Sequence, residues 1–250
     1  MRGSADLQEL SWVEAESVLT HDVVVLIALG AAAKEHGPHL RLDNDLRMAE
    51  YLKRRVMAET PVVAAPTISY HHYPAFIEYP GSTSVRFETA RDLVLDVVRG
   101  LVGFGPRRFY VLNTGVSTLG PLQAAAEILR DDGVLLRYTK SREICGDVIG
   151  EIQQQEGGSH ADEIETSIML YIDPLRVDMS RAIREFNPEK SPGGLTRTPG
   201  RAGTFSASGV YGDPTLASVD KGRVVVEALV AGIARDIERL RASTLPGSGR

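Results

Sequence analysis

The stretch that decides the fold runs from Val23 to Glu50 and reads VVVLIALGAAAKEHGPHLRLDNDLRMAE. Its first eight residues are apolar or small and rich in Val and Ile, which is typical of a buried β-strand. A helical spacing of apolar residues begins at Leu46. Because ligands bind beyond the carboxyl ends of strands in parallel sheets, the loop between them is the first candidate site. That loop places Lys34, Glu35, His36, His39, Asp43 and Asp45 within twelve positions.

Strands and helices alternate along the remaining sequence. This order predicts the α/β class, with a mainly parallel sheet covered by helices on both faces. A capping box at Ser11 and Glu14 starts a short helix, and Ser117 is the predicted cap of a later one. Further strands are predicted at 61–68, 107–113 and 134–139, and helices at 46–57, 85–104, 119–130 and 221–241, with two helical stretches within 143–173.

The composition limits the class of protein. The chain has 250 residues, 43% of them hydrophobic, enough to bury the core of one domain spanning 1–250. A net charge of −5 without a basic stripe argues against a nucleic-acid partner. The single cysteine, Cys145, excludes an internal disulfide framework, fits a reducing compartment and is predicted to be a packing residue. Without an apolar leader or a membrane-length apolar run, we expect a cytoplasmic protein with no membrane partner.

Two residues of the first loop are candidate metal ligands. Imidazole and carboxylate groups bind zinc and manganese, so His36 and Asp45 suit such a site, with Glu35 as a further candidate. His39 and Asp43 fit a simpler role, hydrogen bonding within the loop.

A second polar cluster, SHADEIETS, covers residues 159–167. Helical spacing predicts that His160, Glu163 and either Thr166 or Ser167 share one face, with Glu165 elsewhere. Because His160 follows a Gly-Gly-Ser turn, we expect it at a helix N-terminus, where its pKa would be lowered.

Other residues leave alternatives open. Lys34 is an anion anchor, a general acid or a partner of a loop carboxylate. His71 and His72 are expected to be exposed loop residues, with one of them facing a site as the alternative. The segment 186–214 is too long for a plain connection and suits a lid, an oligomer arm or a mobile loop.

Five blocks of this sequence, in the right order, resemble the creatininase (creatinine amidohydrolase) family. LIALGAAAKEHGPHLRLDND resembles the family's G-[ST]-x-E-Q-H-G-P-H-L-P-L-x-T-D signature, and YPGSTS resembles F-P-G-T-x-S. FGPRRFYVLN resembles the stretch before N-G-H-x-x-N. SHADEIETSIML resembles H-A-G-x-x-E-T-S, and GVYGDPTLASVDKGR resembles the family's closing segment.

The resemblance implies a three-layer α/β/α sandwich, a hexamer and amide hydrolysis at a binuclear zinc or manganese site. Its metal-ligand positions are matched at His36 and at Asp45, which bridges the two metals in the family. Lys34 stands where the family has its first ligand, a glutamate, and Gly115 and Ser117 stand at two further ligand positions. By the same resemblance, His160 matches the catalytic histidine and Glu165 its neighbouring acid.

Three hypotheses follow. The first is a creatininase-like hydrolase of a small amide or cyclic C–N bond, holding at most one divalent metal ion, zinc or manganese. The second is a metal-free lyase, cyclase or isomerase that uses Lys34 with His36 or His160. The third is a non-catalytic protein that binds a small molecule or serves in an assembly.

We expect a small-molecule substrate and a homo-oligomer. The expected catalytic residues are His160, Lys34 and Glu165, the substrate-binding residues His39, His72 and Ser117, and the metal ligands His36, Asp45 and Glu35.

Overall fold

The computed structural model describes residues 3–188 and 193–247. A parallel five-stranded sheet forms its centre. The predicted first strand lies in the middle of this sheet, and all six of its residues are buried, as its apolar sequence requires. The strands are β1 (Ala5–Asp6), β2 (Val24–Leu29), β3 (Val63–Ile68), β4 (Arg108–Asn113) and β5 (Leu135–Tyr138). Their order across the sheet is β1-β3-β2-β4-β5.

Helices cover both faces of the sheet. The helices are α1 (Trp12–Val18), α2 (Asn44–Glu59), α3 (Phe87–Val102), α4 (Leu119–Asp131), α5 (Ser141–Ile152), α6 (Glu163–Ile172) and α7 (Val219–Arg241). Short 3₁₀ turns lie at Leu7–Glu9, Pro74–Phe76, Pro174–Arg176, Met179–Arg181 and Pro214–Leu216.

Successive residues of each central strand feed two separate cores. Leu26 and Tyr110 point into a cluster with α2, α5, α6 and α7, whereas Ile27 and Val111 point into a cluster with α3 and α4. This alternation follows from the two-residue period of a strand. The three-layer α/β/α architecture expected from the sequence is therefore confirmed.

Several local predictions can now be compared with the structure. The capping box of Ser11 and Glu14 is present at the start of α1. Cys145 is buried in the first core, as predicted. The prediction for Ser117 is wrong, because Thr118 is the N-cap of α4 and neither residue caps it with its side chain. The Ser117 hydroxyl instead donates to the carbonyl of His72, 3.0 Å away.

Two features were not predicted. The two-residue strand β1 lies at the sheet edge, where Ala5 pairs with Val63. Its sequence is too short to carry a periodic signal. Within the segment 186–214, β6 (Leu195–Thr196) pairs in parallel with β7 (Thr204–Phe205), and 189–192 lie outside the described residues. Within the described chain, no helix is both long and apolar enough to cross a membrane.

Candidate active site

The loop from β2 to α2 positions the first group of polar side chains. It folds back on itself, because the Lys34 amide donates to the carbonyl of Leu42 and the Leu46 amide donates to that of Ala31. Gly37 takes a φ of +68° in the middle of the loop, a conformation that glycine adopts without strain. These constraints turn Lys34, His36 and Asp45 toward one another at the carboxyl end of the central strand.

Lys34, Asp45 and His36 form a buried charged network. The Lys34 ammonium lies 2.6 Å from Asp45 Oδ2, and His36 Nε2 lies 2.9 Å from Asp45 Oδ1. The other ring nitrogen of His36 lies 2.9 Å from the carbonyl of Lys34. Both oxygens of Asp45 are therefore engaged by nitrogen groups of the same loop.

Burial and charge oppose each other at this pair. Burial alone lowers the pKa of Lys34, but the carboxylates of Asp45, Glu165 and Glu35 together outweigh it and hold that pKa above its usual value. Burial alone raises the pKa of Asp45, and the Lys34 ammonium and His36 reverse this shift. Lys34 is therefore a permanent cation in this site, a poor nucleophile and a poor base.

His160 joins a second network with two carboxylates. Its Nε2 lies 2.8 Å from Glu35 Oε1 and 3.0 Å from the Glu35 carbonyl. Its Nδ1 lies 3.6 Å from Glu165 Oε2, which also accepts a 2.7 Å hydrogen bond from the amide of Ala161. The Glu165 side chain is the most exposed of the three, at 22%, against 7% for both His160 and Glu35.

The expected setting of His160 is wrong in two respects. The N-cap of α6 is Asp162, and His160 precedes it in an isolated bridge with Tyr211. Burial alone lowers the pKa of His160, but the hydrogen bond and charge of Glu35, with the charge of Glu165, outweigh it and raise that pKa above its usual value.

The predicted common face of the second cluster is also wrong. Glu163 accepts hydrogen bonds from the amides of Gln154 and Gln155, and it pairs with Lys221. Thr166 instead meets His39. Because His160 stands outside the helix, the i+3 spacing does not apply to it, and Glu165 is the acid that reaches its ring.

The structure places the remaining predicted residues as follows. His39 Nε2 lies 2.8 Å from Thr166 Oγ1, and burial lowers the pKa of His39 to about 4, so its ring is neutral. His72 Nδ1 lies 3.0 Å from the carbonyl of Val85, and its own carbonyl accepts from Ser117. The Ser117 hydroxyl thus contacts the backbone of His72, and the His72 ring contacts the backbone of Val85.

Phe76 and Tyr73 carried no individual signal in the sequence and yet lie at the site. The Phe76 ring lies 4.3 Å from the His160 ring and 4.8 Å from the Lys34 ammonium, so it covers both networks. Tyr73 lies beside Lys34. His71, expected to be exposed, is fully buried. The only signal was an aromatic-rich loop with a proline, which does not show which ring turns inward.

The residues do not fit a binuclear metal centre. The Lys34 ammonium binds the Asp45 oxygen that a first metal would need, and Gly115 and Ser117 offer no ligand in place of the family's. The Glu35 carboxylate is turned to His160 and the Gly37 amide. A single ion is better served, because ligand atoms of His36, His160 and Glu165 all lie within 4.8 Å of one another.

Comparison with known proteins identifies the family. The model of the family described as "Creatininase: Creatinine amidohydrolase" matches residues 8–237. A mycofactocin precursor peptide peptidase of Mycobacterium tuberculosis is 29% identical over 226 residues, covering 86% of this chain and 84% of the relative. The creatinine amidohydrolase of Pseudomonas putida is 27% identical over 258 residues, covering 94% and 96%.

A solved structure agrees in fold. The protein described as "Creatininase Mn" superposes with a TM-score of 0.80 at 24% identity, covering 96% of this chain and all of that one. The family match spans nearly the whole sequence and includes both polar clusters. The chain therefore belongs to the creatininase family.

Proposed function

We propose that this protein is a hydrolase that cleaves an amide or cyclic C–N bond of a small molecule. The names of its relatives support this reaction class, since one is a creatinine amidohydrolase and another a peptidase. The observation that carries the proposal is the juxtaposition of two buried networks. One supplies a fixed cation, Lys34, and the other joins a histidine to two carboxylates.

The chemistry assigns each network a task. Amide hydrolysis needs a base for the attacking water, positive charge at the developing oxyanion and an acid for the leaving nitrogen. Glu165, the more exposed of the two carboxylates, accepts the proton of water as the new C–O bond forms. Lys34 stabilises the negative charge on the carbonyl oxygen. His160, whose pKa is raised, donates a proton to the nitrogen as the C–N bond breaks.

The positioning residues act through these groups. Asp45 keeps the amine of Lys34 charged and fixes its position. Glu35 orients the His160 ring through Nε2, which leaves Nδ1 facing Glu165 and the space beside His36. Phe76 covers the site and excludes water from it, which strengthens each of these electrostatic interactions.

For the metal, we propose at most one divalent ion, zinc or manganese, held by His36, His160 and Glu165. When bound, such an ion would supply Lewis acidity and lower the pKa of a water molecule. His160 cannot bind this ion through Nδ1 and donate a proton from the same nitrogen. Metal content therefore distinguishes a hydrolysis in which His160 holds the ion from a metal-free one in which His160 donates the proton.

A second candidate function is favoured by Lys34 itself. A buried ammonium in place of a metal ligand also suits a metal-free lyase, cyclase or isomerase, in which Lys34 stabilises an enolate or alkoxide and His160 transfers a proton. Such reactions conserve the mass of the substrate or split it without adding water. Hydrolysis adds one water molecule across the broken bond, so product mass separates the two candidates.

The test is a substrate panel assayed by mass spectrometry, with metal content measured on the same sample. The panel contains creatinine, 2-pyrrolidone, hydantoin and short peptides. If a ring is opened, we expect a product heavier than the substrate by one water molecule. If the substrate is split, we expect fragments whose masses add up to that of the substrate plus one water molecule. Glu165→Gln and His160→Asn should abolish turnover, whereas Glu143→Gln and His21→Asn, at exposed positions, should not. Turnover that survives both site variants would contradict the proposal.

We further propose that the chain forms a homo-oligomer, a hexamer by family resemblance. The strong exposure of two apolar side chains, Leu175 at 95% and Val116 at 80%, supports an interface. Light scattering on the purified protein tests it, and a mass of one chain would contradict it. The cytoplasmic location stays a prediction.

A further inference from the structure

Tyr73 carries a polar atom that the fold leaves unused. The residue is 2% exposed, and its hydroxyl has no hydrogen-bond partner among the residues that the structure describes. A buried hydroxyl without a partner lowers the stability of the fold, because it gives up its hydrogen bonds to water without replacement. Phenylalanine would fill the same space without that cost, so packing does not explain the hydroxyl.

Another buried tyrosine in the same loop shows the contrast. The Tyr79 hydroxyl donates to the carbonyl of Ser206 at 2.7 Å, which joins its loop to the segment after β7. Tyr79 therefore has a structural use for its hydroxyl. The two residues differ by six positions in sequence and are similarly buried, so they form a matched pair for experiment.

Tyr73 lies at the active site. The Lys34 ammonium is 5.8 Å from the centroid of its ring. Its backbone is fixed, because its amide donates to Ser84 Oγ at 2.8 Å. The turn Pro74–Phe76 follows directly and places Phe76 over both Lys34 and His160. The phenol is thus held rigidly beside the cation that we assign to the oxyanion.

The hydroxyl can act only as a neutral donor or acceptor. Burial raises the pKa of Tyr73, and the carboxylate of Asp45 raises it further. The phenol makes no hydrogen bond to this carboxylate, whose two oxygens face the nitrogens of Lys34 and His36. A substrate oxygen beside Lys34 is therefore the acceptor best placed for its proton.

We propose that Tyr73 is a substrate-binding residue whose hydroxyl donates a hydrogen bond to the carbonyl oxygen of the substrate, next to the Lys34 ammonium. This inference rests on the proposed function. It specifies the substrate as a molecule whose carbonyl oxygen is buried on binding and accepts this hydrogen bond. As water adds to the carbonyl carbon, the C=O electron pair moves onto this oxygen. The phenol keeps its proton throughout and strengthens its hydrogen bond as charge develops.

The first measurement uses stability and needs no substrate. Tyr73→Phe should unfold at the same or a higher denaturant concentration than wild type, because it removes only an unpartnered polar atom. Tyr79→Phe should unfold at a lower concentration, because the carbonyl of Ser206 loses its donor. Equal destabilisation by both variants would overturn the proposal, since it would mean that the Tyr73 hydroxyl is structural.

The second measurement uses 2-imidazolidinone, a cyclic urea that presents a carbonyl and resists hydrolysis. Calorimetry should show binding to wild type that weakens about tenfold in Tyr73→Phe, and less than about twofold in Tyr79→Phe. Absence of binding to wild type, or equal binding by both variants, would overturn the proposal. This result is independent of turnover, so it separates a failure here from a failure of the hydrolase assignment.

With an amide from the panel that is hydrolysed, kinetics provide a third measurement. Tyr73→Phe should lower kcat by about a hundredfold, the usual cost of one oxyanion donor, with a smaller change in KM. A purely structural role would not lower kcat selectively. An unchanged kcat would show that the hydroxyl does not contact the reacting carbonyl and would overturn the proposal.

Discussion

The ammonium of Lys34 lies 2.6 Å from Asp45 Oδ2, and both side chains are buried at the carboxyl end of the central strand. This ion pair would have to break before Asp45 could bind a metal ion or the amine of Lys34 could react with an electrophile. The site of this protein is therefore built around a fixed internal cation. That distinguishes it from a binuclear centre on the same fold.

Breaking the Lys34–Asp45 pair should destabilise the fold. Lys34→Met leaves a buried carboxylate without its partner, and we expect a loss of about 3–5 kcal/mol in the free energy of unfolding. The double variant Lys34→Met/Asp45→Leu also removes the Asp45 charge and should regain most of the lost free energy of unfolding. Chemical denaturation measures both. Lys140→Met is the control, since its pair with Glu143 is exposed and should contribute nothing measurable. Equal losses in the single and double variants would contradict the explanation.

A carboxylate at position 34 should create a metal requirement. In Lys34→Glu, two carboxylates and His36 converge, so we expect a protein of low stability that zinc or manganese raises by several degrees in Tm. Lys34→Gln has nearly the same size without the charge and should show little shift. Thermal unfolding with and without each ion, after chelator treatment, measures the difference. Similar shifts in both variants would mean that the ion binds elsewhere.

The buried neutral His71 should make the protein sensitive to acid. Burial lowers the pKa of His71 to about 4, below the value near 6.5 of an unfolded chain. As the pH falls through 6.5, the unfolded chain gains a proton that the folded one does not. Stability is therefore complete above about pH 6.5 and is lost toward pH 4, by up to about 3 kcal/mol from this residue.

The measurement is the slope of unfolding free energy against pH between 7 and 4.5. His71→Leu should reduce that slope, even if it changes the stability at pH 7. His21→Leu is the control, because His21 is largely exposed and its slope should match wild type. A slope that His71→Leu leaves unchanged would show that His71 takes up its proton in the folded state.

Gly209 should be required for the position of Glu35. Its φ is +84°, and a methyl group on it would overlap the Glu35 carboxylate. Gly209→Ala should displace Glu35 from His160 and lower turnover of a panel substrate at least tenfold, beyond the backbone strain of about 1–2 kcal/mol. Gly200→Ala shares the positive φ, with nothing near its added methyl group, so it isolates that strain. Equal turnover by the two variants would exclude a positioning role for Glu35.

Much of the fold could be predicted from local patterns. The continuous apolar run of 23–30 reflects a strand that is buried on both faces, and the helical period from Leu46 onward reflects a helix that buries one side. The errors fall where local patterns carry no information. The edge strand at Ala5 is too short to show a two-residue period. The Ser117 hydroxyl donates to the carbonyl of His72 and therefore does not cap α4.

By itself the sequence determined the α/β class and the positions of two polar clusters, because periodicity and spacing are properties of the chain. The resemblance of five sequence blocks indicated the family. It also showed that a lysine stands at a ligand position of the family. Only the tertiary structure decided what that lysine contacts, that Glu163 pairs with Lys221 and not with His160, and that Tyr73 and Phe76 turn inward. These outcomes depend on contacts between residues far apart in sequence, where burial and charge compete, and no local pattern records which prevails.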